Sequence, residues 1–377
     1  MLQAAVPGRV ARMSIAPLHL AGPVLVGPDD VRDELWVVDG RVTFVRPTAQ
    51  CQTVRGWVLP GLVDAHCHVG LGQHGPVDAD TAERQITADR AAGTLLIRDA
   101  GSPADTHWID DREDLPVVVR AGRHIARTRR YIRNYADEVE PDGLVAAVRT
   151  QARRGDGWVK LVGDWIDRAT GDLAPCWPQE AVTAAIAVAH EEGARVTAHC
   201  FGEEVLPQLA AAGIDCVEHA TGLRGAVVDD FARQGIAIVP TLVNIATFPQ
   251  IAEPARAKFP DYHRHMLDLY ARRHDTVREA WEAGVPIYVG TDGGGSLPHG
   301  LVGSEARELR QAGMPATAVL DAITWGARRW LGRPGLEESA QADLCVYAAD
   351  PRVDLDILSF PSVVVLRGAV VAGGGPA

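Results

Sequence analysis

The sequence predicts an α/β fold, a parallel barrel of alternating strands and helices carrying a small β-sandwich built from both chain ends. Three observations predict it. From about residue 60 to 335, short β-rich apolar runs alternate with Ala-rich helical stretches. Both flanks lack a helix-length period and read as strand, turn, strand. Isolated polar residues fall at the ends of the central strands, where barrels of this kind keep their chemistry.

Taken in order, residues 1–12 read as a loose N-terminal extension, with Met13 an alternative start to Met1. "PLHLAGPVLVG", "DELWVVDGRVTFVRP" and "TVRGWVLPG" follow as antiparallel strands, and "VVDGRV" carries an Asp-Gly hairpin signal. The central strand candidates are "GLVDAHCH", "GTLLIRDA", "LPVVVRAG", "GWVKLVGD", "ARVTAHC", "IDCVEHA", "IAIVPTL" and "VPIYVGTD". Helices fill the gaps, such as "PQEAVTAAIAVAHEEG", with Pro at its start and Gly at its end. Eight strands alternating with helices make a (β/α)8, or TIM, barrel. The tail, "ADLCVYAADP" and "SVVVLRGAVVAGG", returns to strands. The expected division is 13–58 plus 340–377 for the β-sandwich domain and 59–339 for the barrel.

Composition narrows the function. A net charge of -12 argues against a general grip on nucleic acid or an anionic membrane. No apolar run approaches the ~18 residues a bilayer span needs, and the N-terminal stretch has no apolar core of a secretion signal. Six cysteines without a CxxC pair read as reduced, in a cytoplasmic protein. Cys67 and Cys200 neighbour histidines, but strand alternation turns them the other way, toward packing.

On a strand, residues i and i+2 share a face, so His66 and His68 of "GLVDAHCHVG" look in one direction. Lys160, His199, His219 and Asp292 sit at or near the ends of other barrel strands. Any one of them is ordinary, since a lone His in a β run is more often a hydrogen-bonded core or surface group. Together they converge in one cup. Imidazole and carboxylate suit zinc and similar divalent ions. A cationic lysine does not, unless CO2 has converted its amine to a carbamate whose two oxygens can bridge two ions.

"PGLVDAHCH", a strand-borne lysine, "TAHC", "VEHA" and "GTD", in that order, resemble the amidohydrolase superfamily, and the likeness extends over nearly the whole chain. "RDAGS" and "ITWGARRWLGRPGLEESAQADLCVYAADP" fit the same pattern. "HGLVGSEARELRQAGMPATAVLDAIT" points to the imidazolonepropionase-like and prolidase-like members. The resemblance implies that His66, His68 and Asp292 hold one ion and His199 and His219 a second. Carbamylated Lys160 would bridge the two. The ions would be zinc by first choice, with Mn, Fe or Co as alternatives. It implies hydrolysis of an amide or peptide C–N bond, dipeptidase-like, by a metal-activated hydroxide with Asp292 as proton shuttle.

Substrate contacts are expected from His124 and Tyr131 in the basic loop 123–140, where the chain departs from the Gly-Gly-His run of prolidase-like members. Asn244 and His299, after the seventh and eighth strands, are expected to join them. Arginines of that loop would suit a substrate carboxylate. Asp164, further along the face of Lys160, is another candidate for the mouth. The partner is a small molecule or short peptide, and a homo-oligomer is allowed. Competing readings are a mononuclear cyclic-amide hydrolase or deaminase, against which Lys160 argues, and an inactive binding scaffold.

Overall fold

The computed structural model describes residues 16–373, so the extension at 1–12 and the start at Met13 lie outside the described residues. The fold is α/β, with two groups of mainly parallel strands flanked by helices, a two-stranded hairpin of Asp164–Asp167 and Asp172–Pro175, and a larger sheet made from both flanks of the chain. No helix of the described residues is long and apolar enough to cross a membrane.

The strand Leu62–Gly72 is buried along nearly its full length, as a parallel strand covered on both faces must be. Val63 and Ala65 pack in one apolar cluster and Cys67 and Val69 in another. Their alternation turns Asp64, His66 and His68 to the interior. This strand pairs in parallel with Thr94–Asp99, which pairs with Val117–Arg120. A second arc runs through Asp137–Val139, Ile125–Arg127, Trp158–Val162, Arg195–Cys200, Cys216–His219 and Ala237–Val239. Seven of the eight expected strands are thus present and paired.

The eighth segment, around "VPIYVGTD", is irregular, because Pro286 has no N–H to give a ladder. It still joins the arcs. Ile238 N–H donates to Pro286 O, Tyr288 N–H to Ile238 O, and Ala65 N–H to Val289 O. On the other side, strand pairing does not link Val117–Arg120 to the second arc among the described residues. The pairing therefore gives two arcs with one stitched seam, where the sequence predicted a closed ring.

The chain ends meet in an eight-stranded sheet, which takes in Leu18–Leu25 and Trp57–Pro60 from one end and Leu344–Tyr347, Val363–Leu366 and Ala369–Gly373 from the other. It is a single hydrogen-bonded sheet, where two facing sheets were expected. Leu20, Val24, Leu35, Val58, Leu344 and Val365 form its apolar face. The Asp-Gly hairpin is present: Asp39 (φ 50) and Gly40 (φ 77) turn Val31–Val38 into Arg41–Thr43, the left-handed pair a tight I′ turn requires.

Candidate functional site

The six residues singled out by the sequence all lie at one end of the two arcs. His66, His68, Lys160, His199 and His219 are buried and Asp292 is partly exposed. Register sets them beside one another: Val162 opposes His199, Cys200 opposes His219, and Gly293 opposes Cys67. His66 Nε2 is 2.8 Å and His68 Nε2 3.0 Å from the same oxygen, Asp292 Oδ1. The His66 and His219 rings are 5.1 Å apart, and those of His199 and His219 are 4.8 Å apart. His219 (φ 65), Thr241 (φ 51) and Asp292 (φ 57) adopt left-handed backbone at these strand ends. Such strain in non-glycine residues clusters at functional sites.

Three of the four imidazoles are oriented from behind. His68 Nδ1 donates to Gly101 O at 2.7 Å, and His219 Nδ1 is 2.7 Å from the Thr241 hydroxyl. His66 Nδ1 abuts the Glu218 carboxylate. With Nδ1 engaged, these three rings present Nε2 to a common space, as metal-ligating histidines do. His199 Nε2 is buried there without a partner. Burial, with the neighbouring charge of Lys160, holds His66, His199 and His219 well below the usual imidazole pKa. They are therefore neutral, the ligating form. His66, His68 and Asp292 offer ligand atoms within 4.8 Å of one another. This donor set fits divalent ions.

Lys160 is buried, and its Nζ lies 3.6 Å from Glu218 Oε2. Burial lowers its pKa to about 7, with Asp292 opposing and Arg98 assisting. A substantial fraction of the amine is therefore unprotonated at neutral pH, the form that attacks CO2.

Sequence reasoning missed the support beneath the site. Glu218 accepts from Arg98 at 2.9 Å and from the Thr197 hydroxyl, and both charges are fully buried. Arg98 also donates to Ala65 O at 2.7 Å and stacks on Trp158 at 4.6 Å. Glu218 stands inside the quoted "VEHA". Strand alternation would not turn both Glu218 and His219 inward, and it is the positive φ at His219 that breaks the alternation. Asp64 accepts from His66 N–H and from the Thr291 hydroxyl, tying the strand to the Asp292 loop. Asp99 accepts from Val69 and Gly101 N–H.

The expected substrate residues separate. Tyr131 and Asn244 line a cavity of about 570 Å³ that opens over His68, His199 and Asp292. Asn244 Nδ2 donates to Asp292 Oδ2 at 2.6 Å. His124 does not line the cavity. It is fully buried, 4.9 Å from the His68 ring, with neither ring nitrogen hydrogen-bonded. His299 is also away from the cavity, its Nδ1 paired with Asp89 at 2.7 Å. Asp164 is not at the mouth but buried, where it accepts from the Phe201 and Gly202 N–H groups. Cys67 and Cys200 are both buried in packing clusters.

Among known proteins, the amidohydrolase family pattern matches residues 57–371. An uncharacterized protein of Mycobacterium tuberculosis is 54% identical over 93% of this chain and 95% of its own length. A 5-methylthioadenosine/S-adenosylhomocysteine deaminase of Halobacterium salinarum is 25% identical over 88% of this chain and 84% of its own. The crystal structure of a Xaa-Pro dipeptidase with bound methionine in the active site superposes with a TM-score of 0.81. It has 22% identity and covers 95% of this chain and 100% of its own.

Proposed function

The chain belongs to the amidohydrolase family, and from that premise we propose that it hydrolyses an amide or peptide C–N bond with the help of divalent metal ions. One observation carries the reading. Two imidazole nitrogens meet on Asp292 Oδ1, and the buried, unpartnered Nε2 of His199 belongs to the same cluster of rings. Burying such a group without a partner costs a few kcal/mol, and a metal ion removes that cost.

His66, His68 and Asp292 would hold one ion, and His199 and His219 the other. Lys160, as a carbamate formed when its free amine adds to CO2 and releases a proton, would bridge them. Zinc is the first choice, with Mn, Fe or Co accepted by the same donors. Bound ions would supply Lewis acidity toward the scissile carbonyl and make water more acidic. Among the described residues lining the cavity, Asp292 is the one carboxylate, with 21% of its side chain exposed. There it can take a proton from water and return it to the leaving nitrogen. Asn244 holds its other oxygen and keeps the carboxylate aimed. Burial and the nearby Asp292 charge push the Tyr131 phenol well above its usual pKa. It therefore stays a neutral donor, facing the substrate from the wall.

Metal counting and substitution test this together. Reconstitution with bicarbonate should give close to two ions per chain, and Lys160→Ala should lose the pair. Asp292→Asn should keep much of the metal while losing most turnover. Two ions retained by the Lys160 variant at unchanged affinity, or wild-type kcat in the Asp292 variant, would remove those roles. The distant deaminase relative supports a second reading, a mononuclear deaminase or cyclic-amide hydrolase. One ion per chain would favour it, with release of ammonia marking the deaminase and ring opening without ammonia the cyclic-amide hydrolase.

A further inference from the structure

We infer that the cavity selects amides bearing a large apolar, ring-containing acyl group and at most one carboxylate, and discriminates against free zwitterionic dipeptides. This rests on the amide-hydrolase reading and narrows it.

The cavity walls set the first condition. Tyr131, Tyr135, Trp165, Phe201, Phe259 and Tyr262 surround about 570 Å³ above the donor set, a volume in the range of pockets that enclose drug-sized ligands. The entrance is apolar as well. Ile132 and Ile251 line the cavity and are 40% and 43% exposed. A ligand seated there would remove this apolar surface from water.

Charge sets the second condition. The loop arginines do not reach the wall. Arg130 is held by Asp167 at 2.8 Å and by the carbonyls of Trp165 and Ala174 at 3.0 and 2.9 Å. Arg129 and Arg133 are exposed and are not wall residues. Among the described residues lining the cavity, Lys258 is the single lysine or arginine, and Asp292 the single carboxylate. Lys258 is exposed, with its Nζ 5.1 Å from the Phe259 ring, so it stands at the rim.

A dipeptide brings both an α-ammonium and a carboxylate. The carboxylate can meet Lys258. The ammonium would find only Asp292, whose oxygens already face His66, His68 and Asn244. Cation–π attraction to the rings offsets only part of the cost of burying that cation without a carboxylate of its own, whereas an acyl cap removes the charge and adds apolar surface. The substrate that satisfies every wall is an N-acyl amino acid or arylamide, with its acyl ring among the aromatics and any carboxylate at Lys258.

The test uses metal-loaded, full-length protein. Turnover of N-benzoyl-phenylalanine and of its carboxamide is compared with that of glycyl-proline. Binding of the same three compounds to metal-free wild-type protein, which keeps Asp292, is measured by calorimetry. The expectation is at least a 100-fold preference for the acylated compounds in kcat/KM, with the same order in binding. Trp165→Ala should weaken both acylated ligands about tenfold. Lys258→Met should weaken the carboxylate by about fivefold or less, as for an exposed ion pair, and leave the carboxamide unchanged.

Cleavage that favours glycyl-proline would overturn this inference and leave the hydrolase reading standing. Tight binding of the acylated ligands, with no amide cleaved by loaded protein, would support the inference and overturn the hydrolase reading.

Discussion

Replacing Glu218 tests the support on which the proposed metal centre rests. The Glu218–Arg98 pair is fully buried at 2.9 Å, and breaking such a pair by removing one partner costs about 3–5 kcal/mol. Glu218→Ala should fall at the low end, because Arg98 keeps its bond to Ala65 O and its stacking on Trp158. Unfolding entropy of about 2.1 cal/mol/K per residue over 377 residues gives about 0.8 kcal/mol/K. A loss of about 3 kcal/mol then corresponds to a drop in Tm of roughly 4 °C. Glu218→Gln keeps the shape and part of the hydrogen bonding, so its drop should be smaller. It removes the charge behind His66 Nδ1, however, and loss of such an outer partner typically costs 10–100-fold in metal affinity. Differential scanning calorimetry of metal-free protein reads the first effect, and zinc competition with a chelator reads the second. If both variants melt with the wild type and bind zinc as tightly, Glu218 neither anchors Arg98 nor orients His66.

Three further outcomes follow from other parts of the structure. His265 lies 2.9 Å from both the Asp172 and Glu203 carboxylates, and its pKa rises to about 9, chiefly through the Glu203 bond and against burial. Its folded pKa exceeds the ordinary 6.5, so its stabilisation is complete below pH 6.5 and is lost as pH rises through 9. Wild-type Tm should therefore fall more over that window than the Tm of His265→Gln, and equal slopes would refute the coupling. Gly101 has φ +109, and a Cβ there would come within 3.1 Å of His124 Nδ1. Gly101→Ala should shift the carbonyl that accepts from His68 and weaken zinc binding about tenfold, and unchanged affinity in the chelator assay would refute that. Glu305 is buried, with its pKa raised to about 8 by desolvation, and accepts from the Leu242 and Val243 N–H groups. Glu305→Ala should destabilise the segment carrying Asn244, seen as faster amide exchange at Leu242 and Val243, and unchanged exchange there would count against it.

The sequence by itself determined the alternation of strands and helices and the six polar side chains at strand ends. Side-chain direction on a strand is a two-residue period, and the ladders then carry each strand end to its neighbours. It also showed that both chain ends are β-structured. It predicted that they come together in one small domain, but not that they share a single hydrogen-bonded sheet in place of two facing ones, or that the eighth segment, interrupted by Pro286, would be tied in by single bonds. Those outcomes depend on which backbone groups find partners across the fold. Nor could it separate Tyr131, which reaches the cavity, from His124, which is buried behind it, although they sit seven residues apart in one basic loop. The arginines of that loop read as carboxylate binders in the sequence, and the tertiary structure ties Arg130 to Asp167 and to backbone carbonyls. Glu218 was hidden because a strained φ at His219 breaks the alternation that sequence reasoning relies on. Pattern fixes where a side chain starts, and packing against residues distant in the chain decides what it meets.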